Sequence, residues 1–208
     1  LYPSGRVSAI QEQQLTTYGG NITALEVEGS FDDCQHMVKE AFLDKSVNQR
    51  RSLSSANSIN IARLLPQSVY YAWAWKQINT DQPIVFSVPS GNFGNLTGGI
   101  IAKHMGLPVE KFIAATNAND VFPKYLETGE FNGMPSKQTI SNAMDVGRPS
   151  NFDRILKIYN ENVNEVRRDL ISWSFQDDET KYAIQYTKDK LNYLTDPHTA
   201  VGLSGIEK

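Results

Sequence analysis

The sequence predicts an α/β fold built on a parallel sheet. Two apolar runs carry that prediction: residues 83–88 (Pro-Ile-Val-Phe-Ser-Val) and 111–116 (Lys-Phe-Ile-Ala-Ala-Thr). Each reads as a strand buried on both faces. Between them residues 96–105 read as a helix that Gly106 closes. Strand, helix and strand in about thirty residues make the rhythm of a βαβ unit, which calls for parallel pairing and a right-handed crossover.

The remaining elements follow in order. Residues 1–5 read as the end of a strand and its turn, and residues 8–18 as a helix halted by Gly19 and Gly20. Residues 22–27 read as a short strand. Residues 31–43 read as an amphipathic helix, with Cys34, Met37, Val38, Ala41 and Phe42 on its apolar stripe and Asp32 and Asp33 in its first turn. Residues 45–55 are polar and suit a junction. A long helix is expected over residues 57–78, with Ile61, Leu65, Val69 and Ala72 or Trp73 on one apolar face. Pro66 lies inside it, removes a donor and crowds the Ala62 carbonyl, so a kink is expected. After Asp120 the pattern is mostly helical: residues 121–128, 152–160, 163–172 and 180–193, with another helix under way from Thr199. Residues 129–141 read as a loop.

Composition narrows the partners. The 208 residues carry 20 basic and 23 acidic side chains, a formal charge of −3. A general nucleic-acid or anionic-membrane binder is normally basic, so neither partner is expected. No run reaches the ~20 apolar residues of a membrane span, and no basic-then-apolar leader is visible. The lone Cys34 forbids an intrachain disulfide and suits a reducing, cytoplasmic setting. His36, His104 and His198 form no metal-ligand spacing, so no metal is expected.

The most informative segment is residues 89–97, Pro-Ser-Gly-Asn-Phe-Gly-Asn-Leu-Thr. It leaves a strand and enters a helix, where α/β sheets place anion sites. Gly91 and Gly94 let a backbone approach an anion closely, and Ser90, Asn92 and Asn95 add neutral donors. The spacing is neither a P-loop nor a dinucleotide fingerprint. An empty strand-to-helix turn is the plainer alternative. A second cluster, residues 54–63, sets Asn57, Ser58, Asn60 and Arg63 around a helix start. Amides, a hydroxyl and one guanidinium suit a phosphate, although simple capping is the commoner use of such residues. Polar segments 114–120, 141–146 and 196–202 follow, the last with Asp196 as a natural N-cap before Pro197.

Together these segments, with residues 1–8 and 27–34, resemble the threonine synthase family: pyridoxal-phosphate enzymes of the tryptophan-synthase-β class, fold type II. The resemblance covers essentially the whole chain. It implies three-layer parallel-sheet units, incomplete because the chain would be a central fragment. Residues 1–56 would be the late part of a small mobile domain, and 57–208 part of a large cofactor-binding domain. It further implies conversion of O-phospho-L-homoserine and water to L-threonine and phosphate, with pyridoxal 5'-phosphate as cofactor. Ser90, Gly91, Asn92, Phe93, Gly94 and Asn95 would take the cofactor phosphate. Asn57, Ser58 and Arg63 would take the substrate phosphate. The family's Schiff-base lysine lies upstream in a Phe-Lys-Asp type of motif that this sequence lacks, so no residue here is assigned a catalytic role. The chain alone is therefore expected to be inactive and, with unpaired sheet edges, to self-associate or form a homodimer. A phospholyase of the same class acting on another phosphorylated amino acid, and a non-catalytic phosphate-binding module, are the competing readings.

Overall fold

A computed structural model describes residues 1–57 and 60–208. They divide into two units, Leu1–Ser54 and Ser55–Lys208. The first unit holds β1 (Tyr2–Pro3), α1 (Ala9–Thr16), β2 (Glu26–Val27), α2 (Phe31–Leu43) and α3 (Lys45–Arg50). β1 and β2 pair in parallel, Tyr2 opposite Glu26. The strand expected over residues 22–27 is thus only two residues long, Glu26–Val27. Reciprocal capping boxes start both α1 and α2: Ser8 with Gln11, and Ser30 with Asp33. Cys34 is buried in α2, and burial pushes its thiol up from the ordinary value. Met37 departs from the expected stripe and is 46% exposed, while Val38, Ala41 and Phe42 stay partly covered.

The second unit contains α4 (Ile61–Leu64), a 3-10 turn (Leu65–Gln67), α5 (Ser68–Ile78), β3 (Ile84–Pro89), α6 (Gly94–His104) and β4 (Val109–Thr116). It continues with α7 (Val121–Thr128), a 3-10 turn (Asn142–Met144), α8 (Phe152–Ile158), α9 (Val163–Asp169), β5 (Leu170–Ser174), α10 (Asp177–Leu191) and α11 (Pro197–Glu207). The strands form one parallel sheet in the order β3-β4-β5. Helices cover both faces. On one face α11 lies so close that a Cβ on Gly205 would meet Ser87 Oγ at 2.7 Å and Ile113 Cγ2 at 3.0 Å. On the other, a Cβ on Gly99 of α6 would meet the rings of Tyr71 at 2.6 Å and Phe112 at 2.7 Å. The alternation of Phe112 and Ile113 between these two layers is the two-residue period of a strand.

Three expectations change. Pro66 does more than kink a helix: it separates α4 from α5 with a 3-10 turn. The buried face there is Leu64 and Tyr71. Ile61, Leu65, Val69 and Trp73 are exposed, Val69 at 62%. The fit to α6 accounts for this: Gln67 and Ser68 lie against Gly98, and the Tyr71 ring against Gly99. Next, the helix expected over residues 163–172 stops at Asp169, and β5 replaces its end. Leu170 to Ser174 pair with Phe112 to Thr116, so the open edge of β4 outweighs local helical pattern. Lastly, β4 is buried along residues 112–116, but β3 is an edge strand with Val85 48% exposed. No helix of the described residues is long and apolar enough to cross a membrane.

Candidate functional site

Every polar segment of the second unit singled out by sequence, except that around Arg63, lies at or against the carboxyl end of the parallel sheet. β3 ends at Pro89 and runs through residues 90–93 into α6. Ser90 continues the ladder: its N–H donates to Ala115 O at 2.8 Å and its Oγ donates to Val88 O at 2.8 Å. Ser90 is buried, so it anchors the loop and faces inward. Phe93 is the N-cap of α6 in the left-handed region, φ 58° and ψ 13°. A bulky residue holds that conformation only when its surroundings fix it. Here the ring is buried and meets the Phe122 ring at 4.8 Å.

No side chain caps α6. Its first-turn N–H groups therefore point out of the helix end with the positive end of the dipole behind them, an arrangement complementary to an anion. Asn95 is spent inside: its Oδ1 accepts from Tyr71 OH at 2.7 Å and its Nδ2 donates to Gln67 Oε1 at 3.1 Å. Asn92 Oδ1 accepts from both the N–H and, at 2.9 Å, the Oγ of Ser150, while Asn151 Nδ2 donates to Asn92 O at 2.9 Å. So the side chains expected as donors chiefly shape the loop, and its backbone offers the charge complement.

Gly91 is backed by another loop. A Cβ there would meet Met144 Cα at 2.7 Å and Ala143 O at 3.2 Å. The turn Asn142–Met144 is held in turn by Asp145, whose carboxylate gathers donors from Asn117, Asn119 and Thr139. Burial pushes the Asp145 carboxyl above the ordinary value, the bonds from Thr139 and Asn117 pull it back, and nearby Asp177 adds to the rise. From the other side Ala143 N–H donates to His198 Nε2 at 3.3 Å. An N–H cannot accept, so Nε2 is unprotonated and Nδ1 carries the hydrogen donated to Asp196 Oδ1 at 2.9 Å. Asp196 also caps α11, accepting from His198 N and from Thr199 N and Oγ1. The Thr199 hydroxyl bond is the largest cause of its carboxyl lying at about 2.

Of the second cluster, Ser58 lies outside the described residues. Asn60 caps α4, accepting from Ala62 N at 3.0 Å. Arg63 Nη1 donates to Ala56 O at 2.6 Å. Asn57 N–H donates to Ser55 Oγ at 3.2 Å, and Asn57 O accepts from Asn60 N at 3.0 Å. Gln67 joins this segment to the α6 loop: its Nε2 donates to Arg63 O at 2.9 Å while its Oε1 takes the bond from Asn95. Sequence reasoning missed Thr139, Ser150 and Asn151. The hydroxyl and amide of Ser150-Asn151 at the start of α8 are a signal, but one indistinguishable from capping.

An open parallel sheet with an uncapped helix end at its carboxyl edge defines an α/β protein with a place complementary to an anion there. The chain belongs to the pyridoxal-phosphate dependent enzyme family, whose model matches residues 1–208. Among individual proteins it is 43% identical to threonine synthase of Escherichia coli over 208 residues, 99% of this chain and 48% of that one. The crystal structure of E. coli threonine synthase superposes with a TM-score of 0.91 at 41% identity, over 99% of this chain and 48% of that chain. A PLP-bound threonine synthase structure from Brucella melitensis gives 0.85 at 37% identity, over 99% and 50%. The chain spans about half the length of the curated relatives it matches. These structures carry the fold type II architecture expected from sequence, with parallel sheets.

The cofactor implied by the family fits the residues present. The uncapped start of α6, the left-handed Phe93 and the absence of room for a side chain at Gly91 make a backbone cradle suited to its phosphate.

Proposed function

We propose that the protein carrying this chain is a threonine synthase, a carbon–oxygen lyase acting on phosphates. It would convert O-phospho-L-homoserine and water to L-threonine and phosphate, in the cytoplasm. One observation carries the reading: an uncapped helix end at the carboxyl edge of the sheet adjoins, through Gln67, a second segment that bears a guanidinium. Two phosphate seats side by side suit a phosphorylated cofactor and a phosphorylated substrate. The identity to threonine synthases across the whole chain supports the choice of substrate.

In this reading residues 91–95 hold the cofactor phosphate through backbone N–H groups, with Ser90 as the inward anchor. Asn57, Ser58 and Arg63 hold the substrate phosphate, which must bind and then leave. A guanidinium suits that role because it recognises phosphate through a planar fork and stays charged. When bound, pyridoxal phosphate supplies an electron sink for the substrate carbons. The first unit corresponds to the late part of a small mobile domain and the second to part of the large one.

The test is to express the complete reading frame, supply pyridoxal phosphate and O-phospho-L-homoserine, and analyse products. Threonine and phosphate in equal amounts are expected. A 2-oxo acid in place of threonine would make the protein a phospholyase, and no release of phosphate would refute the reading.

A further inference from the structure

The Lys103–Asp169–Tyr159 network lies at the end of α6 away from the loop. The network around Asp145 is different, because it ends on Gly91.

Asp145 Oδ1 accepts from Thr139 Oγ1 at 2.7 Å, Asn117 Nδ2 at 2.8 Å and Asn119 Nδ2 at 3.3 Å, and Oδ2 accepts from Thr139 N at 3.0 Å. Asn117 and Asn119 are themselves buried and follow directly on β4. Asn117 Oδ1 accepts from Asn119 N at 3.0 Å and Nδ2 at 2.8 Å, so the pair is rigid before it meets the carboxylate. The carboxylate thus ties the turn Asn142–Met144 to the central strand. That turn presents its backbone, not a side chain, to Gly91. Backbone cannot swing aside, so any shift of the turn is passed to the loop that opens α6.

We propose that Asp145 is a positioning residue for the phosphate seat: its carboxylate sets the Asn142–Met144 turn, and the turn sets Gly91 and the N–H groups that follow. This rests on the reading of residues 91–95 as that seat. It adds a residue that touches no phosphate and still governs its binding. Asn in place of Asp145 has the same shape, but its NH2 would oppose the donors that now converge on the carboxylate.

The experiment compares two ligands, pyridoxal phosphate and pyridoxal, by spectroscopic titration of the protein from its complete reading frame. The two differ only in the phosphate, so their affinity ratio reads the seat. Asp145→Asn is expected to lower that ratio roughly tenfold or more, the scale of losing a charge-assisted bond, while affinity for pyridoxal itself stays within about twofold. A purely structural role would lower both affinities together. Thr139→Val, which removes the hydroxyl donor to Asp145 together with the acceptor of Asn117 Nδ2 and Ser141 N but keeps the carboxylate, should lower the ratio about threefold or more. It carries the test should Asp145→Asn fail to fold. A wild-type preference for pyridoxal phosphate that both variants retain overturns the positioning role alone. A wild type with no such preference overturns the seat and the proposal together.

Discussion

Gly91→Ala isolates the contact between the two loops. Gly91 does not lie in the left-handed region, so alanine can adopt its backbone without strain and only space is at issue. The added Cβ would meet Met144 Cα at 2.7 Å, where ordinary contact begins at 3.4 Å. The loops must therefore part by about 0.7 Å. A bond of about 2.9 Å from a loop N–H to phosphate would stretch to about 3.6 Å, outside hydrogen-bonding range. Losing one or two such charge-assisted bonds costs roughly 1.5–3 kcal/mol or more. Overpacking itself costs about 1–3 kcal/mol of stability. Pyridoxal phosphate titration should show roughly ten- to hundredfold weaker binding, and urea unfolding a lower midpoint. Unchanged affinity with an unchanged midpoint would mean that the turn yields freely, and the reasoning would fail.

Other outcomes follow from the same structure. Arg63→Lys keeps the charge but loses the planar fork and the bond to Ala56 O; KM for the phosphorylated substrate should rise about tenfold with little change in melting temperature, which steady-state kinetics and a thermal melt would check. Asp196 has its folded value, about 2, below the ordinary 3.8, so its charge stabilises the fold above about pH 4 and that contribution is lost as pH falls toward 2. Asp196→Asn keeps a capping side chain, so the gap in denaturation midpoint between wild type and variant should narrow from pH 6 to pH 3. A gap independent of pH would contradict the assignment. The isolated 208 residues expose Val69, Tyr70 and Trp73 on one helix. They should self-associate, and Val69→Glu with Trp73→Glu should shift light scattering toward monomer.

Much of this protein was legible in its residues. The βαβ core, the amphipathic α2 and the strand-to-helix loop at residues 89–97 follow from local period and turn chemistry, which act over a few residues. Those signals are intrinsic to the chain, so no partner element was needed to read them. The resemblance of the same segments to one enzyme family was equally a property of the residues alone.

Only the tertiary structure decided which side of each element does the work. The buried face of α5 is set by two glycines on α6, and β5 exists because β4 has an edge to pair. Asn95 and Ser90, polar and next to the uncapped start of α6, spend their side chains on Tyr71, Gln67 and Val88. Asp145, Thr139 and Asn117 meet only because the loops after β4 and before α8 close on the same sheet edge. Hydrogen bonds and steric contact act within about 4 Å, and sequence distance says little about which groups the fold brings that near.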